Sequence, residues 1–254
     1  MHNLGGTRSS QQPNHRLSTP DTFVRTTLPG MKACSAIVHV NPALGARFTE
    51  YTAELEAGGE LGSTSAQRLV YVIDGNVKLQ VNRKEKEKER EDELGARGYA
   101  YLPEGLPHRV IANTVSRVAV VEKPYQALDS VEPPKLIVSS EDAVAAHPLN
   151  DDPDLQVKCL LPDDMRFDFA VNTMVYQPGA ALSMVEMHVM EHGLIMLEGG
   201  GIYRLGDSWY PVTAGDFIWM GPWCPQWFGA IGKVPAKYLI YKDWNRHPFA
   251  GLQR

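Results

Sequence analysis

The stretch Met196-Leu197-Glu198-Gly199-Gly200 has a counterpart in the first half of the chain, Val72-Ile73-Asp74-Gly75-Asn76. Both combine an apolar pair with an acidic residue and a glycine, and the later apolar runs at residues 98–102 and 215–219 run parallel as well. Short apolar and β-branched runs separated by glycine and proline are typical of all-β sandwiches and barrels. The chain is therefore predicted to be all-β, with two similar barrels in tandem.

Changes in composition suggest the domain boundaries. We expect an N-terminal extension at residues 1–31, a first barrel at 32–123, a linker at 124–157 and a second barrel at 158–254. The linker contains five prolines and a segment, residues 139–144, that can start a short helix. Residues 83–93 alternate basic and acidic side chains, which predicts a solvated helix or hairpin loop without chemistry.

Composition excludes several classes of function. The 254 residues carry a formal net charge of −5, which gives no electrostatic attraction to nucleic acid. The chain has three widely spaced cysteines and no C-x-x-C pair; they are Cys34, Cys159 and Cys224. This spacing indicates neither a disulfide framework nor a structural zinc site. We see no signal-peptide core and no run approaching the about 20 apolar residues that cross a bilayer. We expect a soluble protein, cytoplasmic by default.

Metal-binding side chains concentrate in residues 186–192, which read Glu-Met-His-Val-Met-Glu-His. As a helix, the segment would present His188, Glu191 and His192 as the H-x-x-E-H motif of a zinc protease. A Pro-Gly pair before it and three glycines after it leave too little length for that helix, and the flanks alternate like strands. On a strand, Glu186, His188 and His192 share one face and point into a barrel.

One carboxylate and two imidazoles on one face suit octahedral Mn²⁺ or Fe²⁺ better than structural zinc. Gln226 can add an amide oxygen as the fourth ligand and still leave positions open for water or substrate. The equivalent positions of the first half hold Gly62, Thr64 and Arg68, and His108 is a lone histidine with a structural role. The sequence therefore predicts one metal per chain, in the second barrel.

Other conspicuous side chains receive structural interpretations. We expect three histidines at the surface or in loops, and four tryptophans in the core or in a pocket wall. These residues are His39, His147 and His247, and Trp209, Trp219, Trp223 and Trp227.

Longer runs resemble the (S)-ureidoglycine aminohydrolases of plants and bacteria, which are bicupins. The likeness is carried by residues 193–212, by residues 238–246 and, in the first half, by residues 42–49 and 99–103. The resemblance implies two tandem cupin barrels of the double-stranded β-helix type, of which the second is catalytic. It also implies a hydrolase of purine breakdown that converts (S)-ureidoglycine to (S)-ureidoglycolate and ammonia with Mn²⁺.

The resemblance further implies roles for particular residues. The metal ligands would be Glu186, His188, His192 and Gln226, and the substrate contacts would come from Glu186, Gln226, Tyr238 and Lys242. Tyr238 and Lys242 are four apart on a predicted strand and hence share a face, where Lys242 can neutralise a carboxylate and Tyr238 can donate a hydrogen bond. Glu186 can relay a proton. The family is homo-oligomeric, with octamers among plant members, whose precursors enter the endoplasmic reticulum by a removed signal.

Two alternatives remain open. Two histidines and one carboxylate also form the facial triad of non-haem iron oxygenases, although Gln226 would occupy a position that oxygen needs. A non-catalytic bicupin for storage or sugar binding could retain metal ligands as relics. The complete set in one half, together with Tyr238 and Lys242, favours catalysis.

Overall fold

A computed structural model of the protein describes residues 6–81 and 90–247, which form two compact units. One unit is Val24–Ala143, and the other combines Met1–Phe23 with Val144–Arg254. Both are built from β-strands, so the predicted all-β class is confirmed. Within the described residues, no helix is long and apolar enough to span a membrane.

The strands are short and closely spaced, and the only helical elements of the described residues are three single 3₁₀ turns. The strands are β1 (Ser10–Gln12), β2 (His15–Ser18), β3 (Arg25–Thr26), β4 (Met31–Val40), β5 (Thr49–Leu61), β6 (Gln67–Asp74), β7 (Asn76–Val81), β8 (Arg90–Gly95), β9 (Gly98–Leu102), β10 (His108–Ala112), β11 (Ser116–Lys123), β12 (Ile137–Ser140), β13 (His147–Leu149), β14 (Asp152–Cys159), β15 (Phe169–Tyr176), β16 (His192–Glu198), β17 (Gly200–Leu205), β18 (Ser208–Thr213), β19 (Phe217–Met220), β20 (Gln226–Ala230) and β21 (Ala236–Asp243). The turns are Pro20–Thr22, Pro42–Leu44 and Glu141–Ala143, and the last is all that forms of the short helix predicted in the linker.

The unit Val24–Ala143 is one ten-stranded antiparallel sheet that curls around its own core. The 13-residue strand β5 pairs with three other strands, β4, β10 and β11, and so connects different parts of this sheet. Along β5, Tyr51, Ala53 and Leu55 point into the apolar core, which is the alternation expected of a strand with one face inside.

The second unit consists of an eight-stranded sheet, in the order β1-β2-β19-β16-β21-β15-β14-β13, and a three-stranded sheet, β18-β17-β20. Its core cluster draws on both sheets: Leu194 and Met196 come from β16, and Tyr203 and Phe228 from β17 and β20. In the ladder between β16 and β21, His192 lies opposite Lys242 and Met196 lies opposite Tyr238. The fold thus brings one predicted metal ligand, His192, and the predicted substrate residues Tyr238 and Lys242 to one pair of strands.

The division into units differs from the boundaries expected from composition. The expected extension supplies β1 and β2, and β2 pairs with β19 of the second unit. The expected linker supplies β12, which pairs with β9, and β13 and β14, which join β15. These strands are largely polar, and β13 and β14 also contain proline. They lie at or near sheet edges, where proline and polar side chains are tolerated, so composition does not distinguish them from loops.

The internal register also needs one correction. Arg68 lies opposite Leu102, whereas His192 lies opposite Met220, so Leu102 corresponds to Met220 and not to Trp219. The connection from β18 to β19 is one residue longer than that from β8 to β9. A slip of one residue exchanges the inner and outer faces of a strand. Of the charged run, residues 90–93 lie in β8, and residues 83–89 lie outside the described residues.

Several structural interpretations are wrong. His39 is buried in β4, with Nε2 2.8 Å from the Thr52 hydroxyl, and is not a surface residue. Trp209 and Trp223 are 57% and 59% exposed and belong to neither core nor pocket wall. The others lie as expected: Trp219 is buried, Trp227 is half-buried, and His147 and His247 are exposed.

The N-terminal segment is fixed to the second unit by a charge pair as well as by strand pairing. The Arg8 guanidinium donates to both carboxylate oxygens of Asp216, at 2.5 and 2.9 Å. Asp216 is fully buried and also accepts from the backbone N–H of Thr213, at 2.9 Å. A buried carboxylate needs such partners, because desolvation otherwise disfavours its charge.

We predict that Arg8→Ala lowers the free energy of unfolding by about 1–3 kcal/mol, since it removes the only cation that pairs with the buried Asp216 in the described residues. Arg25→Ala is the control, because the Arg25–Glu54 pair is largely exposed and such pairs contribute about 0–1 kcal/mol. Urea unfolding of both variants measures the difference. Equal losses of unfolding free energy in the two variants would show that the Arg8–Asp216 pair contributes no more than an exposed pair.

Candidate active site

The segment between β15 and β16 has no regular secondary structure apart from two isolated bridges, Ala181 with Gly229 and Glu186 with Gln226. Glu186 pairs with Gln226, and each backbone N–H donates to the other's carbonyl, at 2.8 and 2.9 Å. Two residues later, the His188 carbonyl accepts from the Trp223 N–H at 2.8 Å. The expected continuous strand over residues 186–192 is therefore wrong in its first part: only His192 belongs to β16. The alternative helix is not formed either.

Three segments bring the predicted donors together: the loop, the first residue of β16 and the first residue of β20. His188 Nε2 lies 3.3 Å from His192 Nε2 and 2.9 Å from the Gln226 amide Nε2. The Glu186 carboxylate is the most distant donor, with Oε2 4.0 Å from His188 Nε2. His192 and Gln226 are buried, whereas Glu186 and His188 are partly exposed. The centre therefore has a buried side and an open side.

Hydrogen bonding fixes the proton on His192. Its Nδ1 donates to the Tyr241 carbonyl at 3.2 Å, so the lone pair is on Nε2, which faces His188. Burial, reinforced by the charges of His188 and Lys242, lowers the pKa of His192 to about 3. The imidazole is therefore neutral near pH 7, the form that binds a metal. His188 Nδ1 is buried and has no hydrogen-bond partner among the described residues, so this ring is held less firmly.

The donor types fit a divalent cation. Ligands at right angles around an ion, each about 2.1 Å from it, lie about 3.0 Å apart, close to the two short donor distances. A half-turn of the Gln226 amide exchanges its nitrogen for its oxygen, the atom that can bind a cation. As the side chains stand, no group of three His, Cys, Asp or Glu residues within 6–81 and 90–247 is close enough to hold a metal. Gln226 and an approach by Glu186 are needed to complete the set.

The centre opens into a cavity of about 240 Å³ between the two sheets of the second unit. All four predicted donors line it, and so do Tyr238 and Lys242 on β21, as the four-residue spacing predicted. Sequence reasoning missed the other lining residues, which are Leu149, Val157, Asn172, Met174, Leu182, Met190, Tyr203, Ile240 and Trp244. Tyr203 and Asn172 have inward positions on β17 and β15, but a single alternating position is too common to indicate a site.

Lys242 is held at one side of this cavity by Trp244. Its ammonium nitrogen lies 4.0 Å from the centre of the Trp244 ring, a cation–π contact that favours the charged form. The indole N–H of Trp244 in turn donates to Asp163 at 2.7 Å. Burial lowers the pKa of Lys242, and the charges of Asp163 and Glu186 oppose that shift. The cavity therefore contains a partly desolvated cation, which suits an anionic ligand group.

Tyr238 supplies a hydroxyl at another side. It is buried, and its oxygen lies 2.7 Å from the hydroxyl oxygen of Tyr176 on β15. Phe228 packs edge-on against both rings, with centroids 4.9 and 5.8 Å away. Because the aromatic neighbours restrict the ring, the position of the Tyr238 hydroxyl is well defined.

The first unit holds a guanidinium at the place equivalent to His192. Arg68 donates to His108 Nε2 at 2.8 Å, to the Gly62 carbonyl at 2.7 Å and to the Glu122 carboxylate at 2.6 and 2.8 Å. Tyr51 also donates to Glu122, at 2.8 Å. Gly62 and Arg68 hydrogen-bond each other here, and His108 is one partner in a closed network. A side-chain cation occupies this barrel where the second unit has its candidate metal donors.

The comparisons with known proteins agree with this geometry. A family model described as a cupin domain matches residues 172–241. The crystal structure of protein Ylba from E. coli is 27% identical and superposes with a TM-score of 0.83 over 95% of this chain and 96% of that one. Together with the β-sheets that enclose each core, these findings place the chain among the cupins.

Two curated relatives show to which family within the cupins the chain belongs. The probable (S)-ureidoglycine aminohydrolase of Oryza sativa subsp. japonica is 40% identical over 248 residues, 96% of this chain and 77% of the rice protein. The (S)-ureidoglycine aminohydrolase of Arabidopsis thaliana is 39% identical over 248 residues, 96% of this chain and 80% of that protein. The chain belongs to the (S)-ureidoglycine aminohydrolase family, which confirms the resemblance seen in the sequence.

We predict that His108→Gln reduces the acid sensitivity of the fold. Burial and the nearby Arg68 charge lower the pKa of His108 from 6.5 to about 4. Between these pH values the unfolded chain binds a proton that the folded chain does not, so stability is lost as the pH falls. The variant should abolish up to about 3 kcal/mol of that loss.

Urea unfolding at several pH values between 4 and 7 checks this expectation. Ser63→Ala is the control, because Ser63 hydrogen-bonds the His108 backbone, at 2.8 Å from both N and O, but leaves the imidazole in place. It should lower stability without changing its pH dependence. A variant at His108 as acid-sensitive as the wild type would contradict the assignment.

Proposed function

We propose that the chain hydrolyses (S)-ureidoglycine to (S)-ureidoglycolate and ammonia with Mn²⁺, as a step of purine breakdown. The observation that carries the proposal is the meeting of the four donors with Lys242 and Tyr238 in one cavity. The names of the family relatives support the same substrate. An oxygenase needs an open position for oxygen, and Gln226 takes up one such position.

The cavity matches the groups of this substrate. Ureidoglycine carries a carboxylate, an amine and a ureido group on one carbon. Lys242, partly desolvated and held by Trp244, pairs with the carboxylate, because charge-assisted hydrogen bonds are the stronger ones in such surroundings. Tyr238 lies four residues away on the same strand and donates to an oxygen of the substrate. Together with the proposed contact between the cation and the amine, these two contacts fix three substituents of the reacting carbon, the number needed to distinguish the two enantiomers.

Glu186, His188, His192 and Gln226 would hold the cation. Their combination of carboxylate, imidazole and amide oxygen suits Mn²⁺. When bound, the ion would supply positive charge that anchors the substrate's amine and carboxylate and fixes the reacting carbon. The partly exposed side of the centre, at Glu186 and His188, faces the cavity and leaves room for that contact.

Glu186 is also the proton carrier of the proposal. It is the one carboxylate among the described residues that line the cavity. Hydrolysis forms a bond from a water oxygen to the reacting carbon and breaks the bond from that carbon to the amine nitrogen. Glu186 accepts the proton that water loses and returns it to the departing ammonia, so protons balance over the cycle.

We predict that His192→Ala abolishes both ammonia release from freshly prepared (S)-ureidoglycine and retention of Mn²⁺, since it removes the most firmly oriented donor. Metal content after gel filtration and the shift of the melting temperature with MnCl₂ measure binding independently of activity. A cation at 100 times its Kd stabilises the folded state by about 2.7 kcal/mol, and this gain should vanish in the variant.

His147→Ala is the matched control, because His147 is an exposed histidine in β13 of the same unit. It should retain both metal and activity. A metal-free His192→Ala protein with full ammonia release would refute the metal-dependent mechanism.

Lys242→Ala should act mainly on substrate binding. Loss of a charged hydrogen bond worth about 1.5–3 kcal/mol predicts a rise in KM of about 10- to 100-fold with a smaller effect on kcat. Steady-state ammonia release measures both constants. Lys233→Ala, at an exposed loop lysine, should leave them unchanged. An unchanged KM in Lys242→Ala would exclude Lys242 from the substrate site.

A further inference from the structure

We propose that Tyr176 is a positioning residue: its hydroxyl donates to that of Tyr238 and thereby directs the Tyr238 proton into the cavity. The inference deepens the proposed function and rests on it, because it concerns how Tyr238 meets the substrate. In this arrangement Tyr238 donates a hydrogen bond to the ligand and does not accept one from it.

The two phenols form an isolated buried pair. Their oxygens are 2.7 Å apart and their ring centroids are 5.5 Å apart. Tyr176 is 0% and Tyr238 2% exposed. Tyr238 lines the cavity, whereas Tyr176 stands behind it and does not reach the lining. Phe228 contacts both rings and restricts their movement.

Counting protons decides the direction of the bond. Burial raises the pKa of both hydroxyls, so each keeps its single proton near pH 7. Among the described residues, the Tyr238 oxygen is the only partner of the Tyr176 hydroxyl. If Tyr238 were the donor, the proton of Tyr176 would be buried without an acceptor, and buried donors are rarely left unsatisfied. Tyr176 is therefore the donor.

The direction of the Tyr238 O–H bond follows from this. No other described residue makes a hydrogen bond with Tyr238, so its O–H points to the cavity that its side chain lines. A ligand atom at this point must accept a hydrogen bond. The pair selects an oxygen of a carboxylate or of a ureido carbonyl and disfavours an ammonium group, which carries donors only.

The first unit offers an internal comparison. Tyr176 lies opposite Ala236, two residues before Tyr238, and the equivalent ladder places Leu55 opposite Ser116, two residues before Val118. The barrel with the Arg68 network thus has Leu55 and Val118 where the barrel with the cavity has two tyrosines. The first unit therefore lacks both hydroxyls, as expected if the function of the Tyr176 hydroxyl is to orient that of Tyr238.

Melting temperature tests, without reference to activity, the premise behind the donor direction, namely that the Tyr176 hydroxyl depends on Tyr238 for its hydrogen bond. Tyr238→Phe leaves the Tyr176 proton buried without an acceptor, whereas Tyr176→Phe leaves a Tyr238 hydroxyl that water in the cavity can satisfy. We expect Tyr238→Phe to melt at a lower temperature than Tyr176→Phe. The double variant should melt above Tyr238→Phe, because it removes the stranded proton. The reverse order would overturn the assignment.

Kinetics of the Mn²⁺-loaded enzyme test the positioning role. Tyr176→Phe should raise KM for (S)-ureidoglycine about 3- to 10-fold, the effect of one neutral hydrogen bond, and change kcat by less than about 2-fold. In the Tyr238→Phe background it should raise KM no further, because Tyr176 acts through Tyr238. Additive effects, or an unchanged KM in the single variant, would overturn the role.

Tyr210→Phe is the matched control. It removes a hydroxyl from the same unit that hydrogen-bonds His15 Nε2 at 2.9 Å and lies outside the cavity lining. It should leave KM unchanged even if it lowers the melting temperature. A wild-type protein that releases no ammonia would refute the proposed function, while the order of melting temperatures would still test whether the Tyr176 hydroxyl depends on Tyr238 for its hydrogen bond.

Discussion

The reciprocal backbone hydrogen bonds between Glu186 and Gln226 are the constraint on which the site depends. They join an irregular loop to the first residue of β20 and set two donors side by side. The remaining anchor of His188 is its carbonyl bond to Trp223. His192 needs no such device, because the ladders of β16 hold it between β19 and β21. The site is therefore rigid at its sheet side and adjustable at its loop side. That division suits the proposed centre, which would hold a cation and admit a ligand.

The two units show how one scaffold accommodates opposite charge patterns. In the second, His192 lies opposite Lys242; in the first, Arg68 lies opposite Glu122. The guanidinium brings its own positive charge and satisfies His108 and Glu122 at once. A protein cation needs no cavity for a ligand, and the space around it is closed by hydrogen bonds. The same strand positions thus yield a stable network in one barrel and an open centre in the other.

Continuous apolar runs were sufficient to predict the longer strands but not the edge strands or the loop. Residues 69–73 and 238–241 are apolar throughout, and they form part of β6 and β21. Composition assigned the residues of four strands to an extension and a linker, namely β1, β2, β13 and β14. Their polar side chains do not indicate which strand they pair with.

At the site, residue types identified the donors, but the loop geometry that brings Glu186 near His188 depends on a long-range bridge to Gln226. Tyr176 was missed because a buried tyrosine on a strand is common, and only its hydroxyl contact distinguishes it.

The pairing of β2 with β19 has a consequence for biosynthesis. Ser18 lies opposite Phe217, so β2 is synthesised well before β19, the strand with which it pairs. The contiguous unit Val24–Ala143 has all its strands long before β19 is made. Such a long-range contact slows folding and leaves a strand unpaired in the meantime. The polar character of β1 and β2, with their Ser, Gln, His and Arg side chains, reduces the tendency of this waiting strand to associate with other chains.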